Sequence, residues 1–343
     1  MSAILLPPNQ PERFYRGGPA IARFRGVPAG ADHVPEDWVG STTAVLGGDG
    51  SGPTVLPDGR PLADAIAAAP GAFLGVDHVR MFGADPAVLV KLLDAGERLP
   101  VHAHPDREFA RRHLGAPYGK AEAWLILAAE GDGATLRLGF REDVDRATLS
   151  DWVARQDVPA MLDALHELRV APGDSVYVPA GTPHAIGEGV LMVEVQEPSD
   201  LGVMLEWSRF GLAPDGATMG LGFDVALECV RRTAVNPDEL ASWRRSSAGA
   251  PETRAGARAA VPPEAERFFR AEWLRPDAVV ALEPSFAILV AVEGAGRLET
   301  EAGGLDVAAG ETVLVAHAAG AAELSGDLAA IRCLPPLPEE AGT

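Results

Sequence analysis

Two histidines one residue apart, in Val101-His102-Ala103-His104-Pro105, carry the first chemical signal of the chain. Residues two apart on a strand project to the same side, so the pair can grip one metal ion together. An H-x-H pair alone arises often by chance, and the spacing around it has to decide. Gly96 stands six residues before His102, and downstream Gly173, Pro179, Gly181 and His184 follow as glycine, five residues, P-x-G, two residues, histidine. Glycines and a proline turn strands sharply, while histidines on non-adjacent strands can reach one point. Glu122, on the strand expected after Gly119, adds an anionic oxygen. His102, His104, Glu122 and His184 are therefore expected to hold one divalent metal ion.

Short strands must position such a site. Proline and glycine, 29 and 38 residues, separate many brief apolar runs, as in antiparallel β architectures. Strands are expected over Ala87 to Asp94, Glu122 to Glu130, Thr135 to Phe140, Ser175 to Pro179 and Val190 to Glu197. From Asp143 to Arg169 the period changes. Leu149, Trp152, Val153, Met161, Leu162, Leu165 and Leu168 recur every three or four residues, which predicts a helical insertion near 142–169 that Pro159 divides in two. Val225 to Arg232 reads as helix, and Asn236 to Pro263 as a partly helical linker. Beyond it, Ala287 to Glu293, Arg297 to Thr300, Leu305 to Ala308 and Glu311 to Ala316 form a second series of strands. Gly310 to Val315 repeats the outline of Gly173 to Val178 without the histidines. The organisation expected is a metal-binding unit over 1–235, a linker over 236–265 and a metal-free β unit over 266–343.

Composition limits the partners. With 343 residues the chain is long enough for two domains, and its 47% hydrophobic residues suit a globular protein. A formal charge of −20 repels nucleic acid and anionic membrane surfaces, but leaves a small anionic ligand open to local cations. Cys229 and Cys333 are too few for a disulfide framework, which fits a reducing cytoplasm. The apolar run Ile4-Leu5-Leu6 is too brief for a signal peptide or a membrane span, so the chain reads as soluble and cytoplasmic.

The two glycine-anchored histidine patterns match the two signatures of the cupin superfamily. More extended blocks resemble the class I mannose-6-phosphate isomerases: Leu89 to Ala95, His104-Pro105, Pro117 to Trp124, and Val178 to His184, with Trp38 to Ser41, Phe73 to Gly75 and Glu194 to Asp200 beside them. The resemblance implies a mainly β fold of two cupin-type jelly-roll barrels with a helical insertion in the metal-binding unit. It also implies a zinc enzyme that interconverts mannose 6-phosphate and fructose 6-phosphate, with His104, Glu122 and His184 as ligands and Lys120 as acid/base or orienting cation.

Three departures accompany the resemblance. His102 stands where the family has a ligating glutamine, giving a three-histidine, one-glutamate set that also accepts manganese, iron, nickel or cobalt beside zinc. Pro100 replaces a serine. After Ser199-Asp200 the family's active-site arginine falls near Arg209, one residue out of register; Arg209 is carried forward with Lys120 as a catalytic candidate and as the nearest cation for a phosphate. Lys91, inside an apolar strand, is open to a functional role or a salt bridge at the rim. Glu197 is expected to face the pocket and Glu194 to face away, while His78, His113, Trp124 and Trp207 are read as structural. Two rivals to the isomerase remain, a cupin oxygenase and a sugar-binding protein without turnover.

Overall fold

The computed structural model describes residues 2–276 and 279–338. Its described part is mainly β and antiparallel, in sheets of nine, six and five strands, with no closed barrel. The six-stranded sheet runs Arg244–Ser246, Asp174–Val178, Glu122–Ala129, Val190–Gln196, Leu89–Asp94, Glu36–Val39. The five-stranded sheet runs Val203–Met204, His102–Ala103, His184–Ile186, Thr135–Phe140, Leu165–Arg169. Leu136, Leu138 and Ile186 of the second share a core with Trp124, Ile126 and Val193 of the first.

Leu89–Asp94 and Val190–Gln196 are buried along their whole length. Both faces must therefore be covered, and the nine-stranded sheet contributes Ile288, Val290, Leu314 and Ile331 to the same core. Burying such side chains from water is the main stabilising term, about 1.5–3 kcal/mol each. The expected strands all form, with Ala287–Thr300 continuous where two short strands were expected.

Two expectations are corrected and a third is made more specific. Between the paired strands Thr135–Phe140 and Leu165–Arg169 lie two helices, Arg146–Arg155 and Val158–Ala164. The break falls at Gln156, which takes a left-handed conformation, and at Asp157, which caps the second helix; Pro159 sits in that helix's first turn, where its missing N–H does no harm. Leu165–Arg169 is a strand, because Leu165 and Leu168 also fit a five-residue extended run that pairs with Thr135–Phe140. In Asn236 to Pro263 only Pro237–Ser242 is α-helical; Arg244–Ser246 extends the six-stranded sheet, and Glu252–Arg254 with Ala257–Ala259 extends the nine-stranded one. The amino-terminal Ile4–Leu5 also joins the nine-stranded sheet, pairing with Thr312–Val315. Among the described residues no helix is long and apolar enough to cross a membrane.

Candidate metal centre

The cavity between the six- and five-stranded sheets collects side chains from both. His102 and His184 are directly opposite each other in adjacent strands, and His104 follows two residues after His102. Glu122 begins the facing strand, while Lys91 and Glu194 are cross-strand partners beside it. Two glycines explain why the sequence turns here. A Cβ on Gly96 would lie 2.1 Å from the carbonyl carbon of Gly17, so glycine lets the amino-terminal segment pass close to the site. Gly181 has φ +85, which L side chains rarely adopt, and its N–H donates to His104 O at 2.6 Å.

The three rings are oriented alike. Nδ1 of His102, His104 and His184 lies 2.8, 2.7 and 2.8 Å from the carbonyl oxygens of Pro100, Leu201 and Thr182. A carbonyl only accepts, so each Nδ1 carries the proton and each Nε2 keeps its lone pair. Those lone pairs converge: the three histidines offer ligand atoms within 4.8 Å of one another, with His102 and His184 Nε2 only 2.9 Å apart. Glu122 stands alongside, Oε1 3.3 Å from His184 Nε2 and Oε2 3.4 Å from His104 Nε2. Oε2 accepts no hydrogen bond although it is buried. Neutral imidazoles with opposed lone pairs and an unmet carboxylate oxygen make a donor set that fits a divalent cation.

Charge reinforces the arrangement. Burial, then the neighbouring cation of Lys120, lowers His104 to about 4, and burial with His184 and His104 lowers His102 well below its ordinary value. Burial would raise Glu122, but Lys120 and His104 hold it well below the carboxylate range. Burial would likewise lower Lys120, yet Glu122 at 3.1 Å and Glu194 at 3.5 Å keep it protonated. Glu194 is pushed up to about 7, chiefly by burial against the opposing pull of Lys120 and Lys91.

Lys120 thus sits in the cavity, 3.0 Å from His104 Nε2. Arg209 does not. It is half exposed, pairs with Glu97 at 3.2 Å and lies over Phe210, outside the residues that line the cavity. Lys91 is fully buried above the Trp38 ring, within 4.0 Å of Glu36, Glu194 and Asp200. The expected facing of the two glutamates is reversed. Glu194 lines the cavity, whereas Glu197 lies beyond the strand's end at Gln196 and turns to accept from Ala121 N and Arg107 Nε. His78 Nε2 donates to Asp85 O at 2.7 Å, Trp124 is core against the edge of His184, and Trp207 packs near Phe223; His113 stacks on Phe109.

Sequence reasoning missed Arg13, Tyr15, Glu36 and Asp200, all of which line the cavity. They come from segments with no spacing relation to the histidines. The one available signal was the pairing of polar types with apolar strand neighbours in Glu36-Asp37-Trp38-Val39.

These features can be set beside known proteins. No protein-family model matches the chain. The mannose-6-phosphate isomerase of Streptococcus mutans is 36% identical over 131 residues, 37% of this chain and 40% of that one. The aligned stretch thus spans about two fifths of the curated relative's length. The crystal structure of the mannose 6-phosphate isomerase from Bacillus subtilis superposes with a TM-score of 0.74, at 23% identity, over 97% of this chain and 99% of that one. The chain has the fold of the mannose-6-phosphate isomerases. A structure of a mannose 6-phosphate isomerase bound with zinc and yttrium is also similar, with TM-score 0.71 and 18% identity over 98% of this chain. Its similarity to the mannose-6-phosphate isomerases bears out the resemblance read from the sequence blocks.

Proposed function

We propose that the protein is a metal-dependent aldose–ketose isomerase of sugar phosphates, acting on mannose 6-phosphate and fructose 6-phosphate in the cytoplasm. The observation that carries this reading is the convergence of three imidazole lone pairs and Glu122 with two proton-handling groups, Lys120 and Glu194, in one buried cavity. His102, His104, Glu122 and His184 would hold the ion, zinc first among the divalent metals. When bound it would supply Lewis acidity at the oxygens on C1 and C2. Isomerisation then requires a proton to leave one of these carbons and return to the other through an enediol. Lys120, protonated between two carboxylates, suits the role of donor to the sugar oxygens. Glu194, titrating at about 7, suits that of acceptor for the carbon-bound proton. The finer reading of the fold is two cupin-type jelly-roll units, 1–235 and 266–343, joined through 236–265, with Ile4–Leu5 lent to the second. 

A coupled assay for fructose 6-phosphate from mannose 6-phosphate, on metal-depleted protein with each ion restored, tests the proposal. Turnover should return with zinc or another divalent ion, and His104→Ala and His184→Ala should lose both bound metal and activity. Failure to turn over with any of the ions would sink the isomerase, favouring a sugar-binding protein if mannose 6-phosphate still binds. Metal content unchanged in both variants would overturn the ligand set.

A further inference from the structure

Two buried atoms of opposite hydrogen-bonding character, on residues that line the cavity, have no hydrogen-bond partner: the donor Nε of Arg13 and the acceptor Oε1 of Glu194. Leaving a buried polar atom unmet costs on the order of 1–3 kcal/mol, so such atoms persist where a ligand meets them. Arg13 is rigidly held. Its Nη1 and Nη2 donate to the two oxygens of Asp200, each at 2.9 Å, and its guanidinium lies 5.6 Å above the Trp38 ring. Its Nε is 3.4 Å from Glu36 Oε2, an ion-pair contact that is not a hydrogen bond, while that oxygen accepts from Trp38 Nε1 at 2.5 Å. Glu194 Oε1 is similarly near Lys120 and Lys91 as an ion pair, with a free lone pair.

The charges narrow the ligand. Every cation lining the cavity is already paired: Arg13 with Asp200 and Glu36, Lys91 with Glu36, Glu194 and Asp200, Lys120 with Glu122 and Glu194. Four carboxylates thus face three cations, and the cavity is only about 50 Å³. A phosphate dianion finds no unpaired cation among the described residues of the lining. Hydroxyl groups, which both accept and donate, satisfy an orphan donor and an orphan acceptor without changing the charge.

We propose that Arg13 is a substrate-binding residue, its Nε–H donating to a hydroxyl oxygen at the reacting end of the sugar while Glu194 Oε1 accepts from a sugar hydroxyl, the phosphate remaining outside this cavity. The inference rests on the isomerase reading and deepens it. Arg13→Lys tests it, keeping a positive charge beside Asp200 and Glu36 while removing the Nε donor. Losing one hydrogen bond from a charged donor should raise KM for mannose 6-phosphate about tenfold. D-Mannose as a competitive inhibitor should weaken by the same factor, inorganic phosphate should inhibit as before, and bound metal should be unchanged. An unchanged KM, or weakened inhibition by phosphate with D-mannose unaffected, overturns the proposal. If Arg13→Lys does not fold, Arg13→Gln is measured in the same way. If the wild type turns nothing over, the isomerase reading fails by itself. Calorimetric titration of D-mannose into metal-loaded wild type and variant then decides: weaker binding to the variant supports the role of Arg13, while equal binding, or none to either, overturns it.

Discussion

At the scale of single residues, the site depends on keeping imidazoles neutral. Each Nδ1 proton is committed to a carbonyl, so a second proton must go to Nε2, into a buried cavity beside Lys120. That is why His104 falls to about 4. The sign of the linkage follows. Between its ordinary value of about 6.5 and about 4, the unfolded chain binds a proton at this residue that the folded chain does not. The contribution of His104 to the stability of the metal-free protein is therefore constant above about pH 6.5 and falls as pH drops toward 4, by roughly 3 kcal/mol. Urea unfolding of metal-free wild type and His104→Gln across that range should show the variant losing less. Parallel pH curves for the two would refute the assignment.

At the scale of elements, the site depends on strands brought within van der Waals contact of loops. Gly96 lets the backbone of Gly17 approach to a distance no side chain would allow, and that segment carries Arg13 and Tyr15 to the cavity. Gly96→Ala must push backbone against backbone, which cannot relax as a flexible side chain would. Overpacking of this kind costs about 1–3 kcal/mol. The variant should melt lower and show a raised KM with metal content retained, and a melting temperature equal to wild type would mean that the segment has another route. This glycine belongs to the pattern that makes the metal centre legible: His102 and His104 follow Gly96 by six and eight residues, Glu122 follows Gly119 by three, and His184 follows Gly173 by eleven. What escaped was set by tertiary pairing. Glu194 and Glu197 exchange faces relative to the expectation because alternation places them on opposite sides without saying which side is inward, and the pairing of Glu194 with Lys91 and Trp124 fixes that phase. Arg13 and Asp200, separated by 187 residues, could be joined only by the fold. Leu165–Arg169 was misread because five residues with leucines three apart fit helix and strand equally.

At the scale of the whole molecule, the nine-stranded sheet is tied to the metal-centre cavity through one strand with two functions. Alternation along Glu36–Val39 turns Glu36 and Trp38 toward the cavity and Asp37 to the opposite side. There Asp37 accepts from Asn9 N at 2.9 Å and from Arg25 Nε at 2.9 Å, while Arg25 Nη1 donates to Thr312 Oγ1 of the nine-stranded sheet at 2.8 Å. Both charges are almost wholly buried. Arg25→Ala would leave Asp37 as a buried carboxylate without its cation, a change that costs about 3–5 kcal/mol. It should lower the urea midpoint accordingly and, by loosening the strand that carries Glu36, raise KM. Adding Asp37→Asn removes the uncompensated charge, so the double variant should recover a measurable part of the lost stability. If the double variant is no more stable than Arg25→Ala, the penalty lies in the severed link to Thr312 and in lost packing, and the buried ion pair contributes alignment of the two sheets rather than charge compensation.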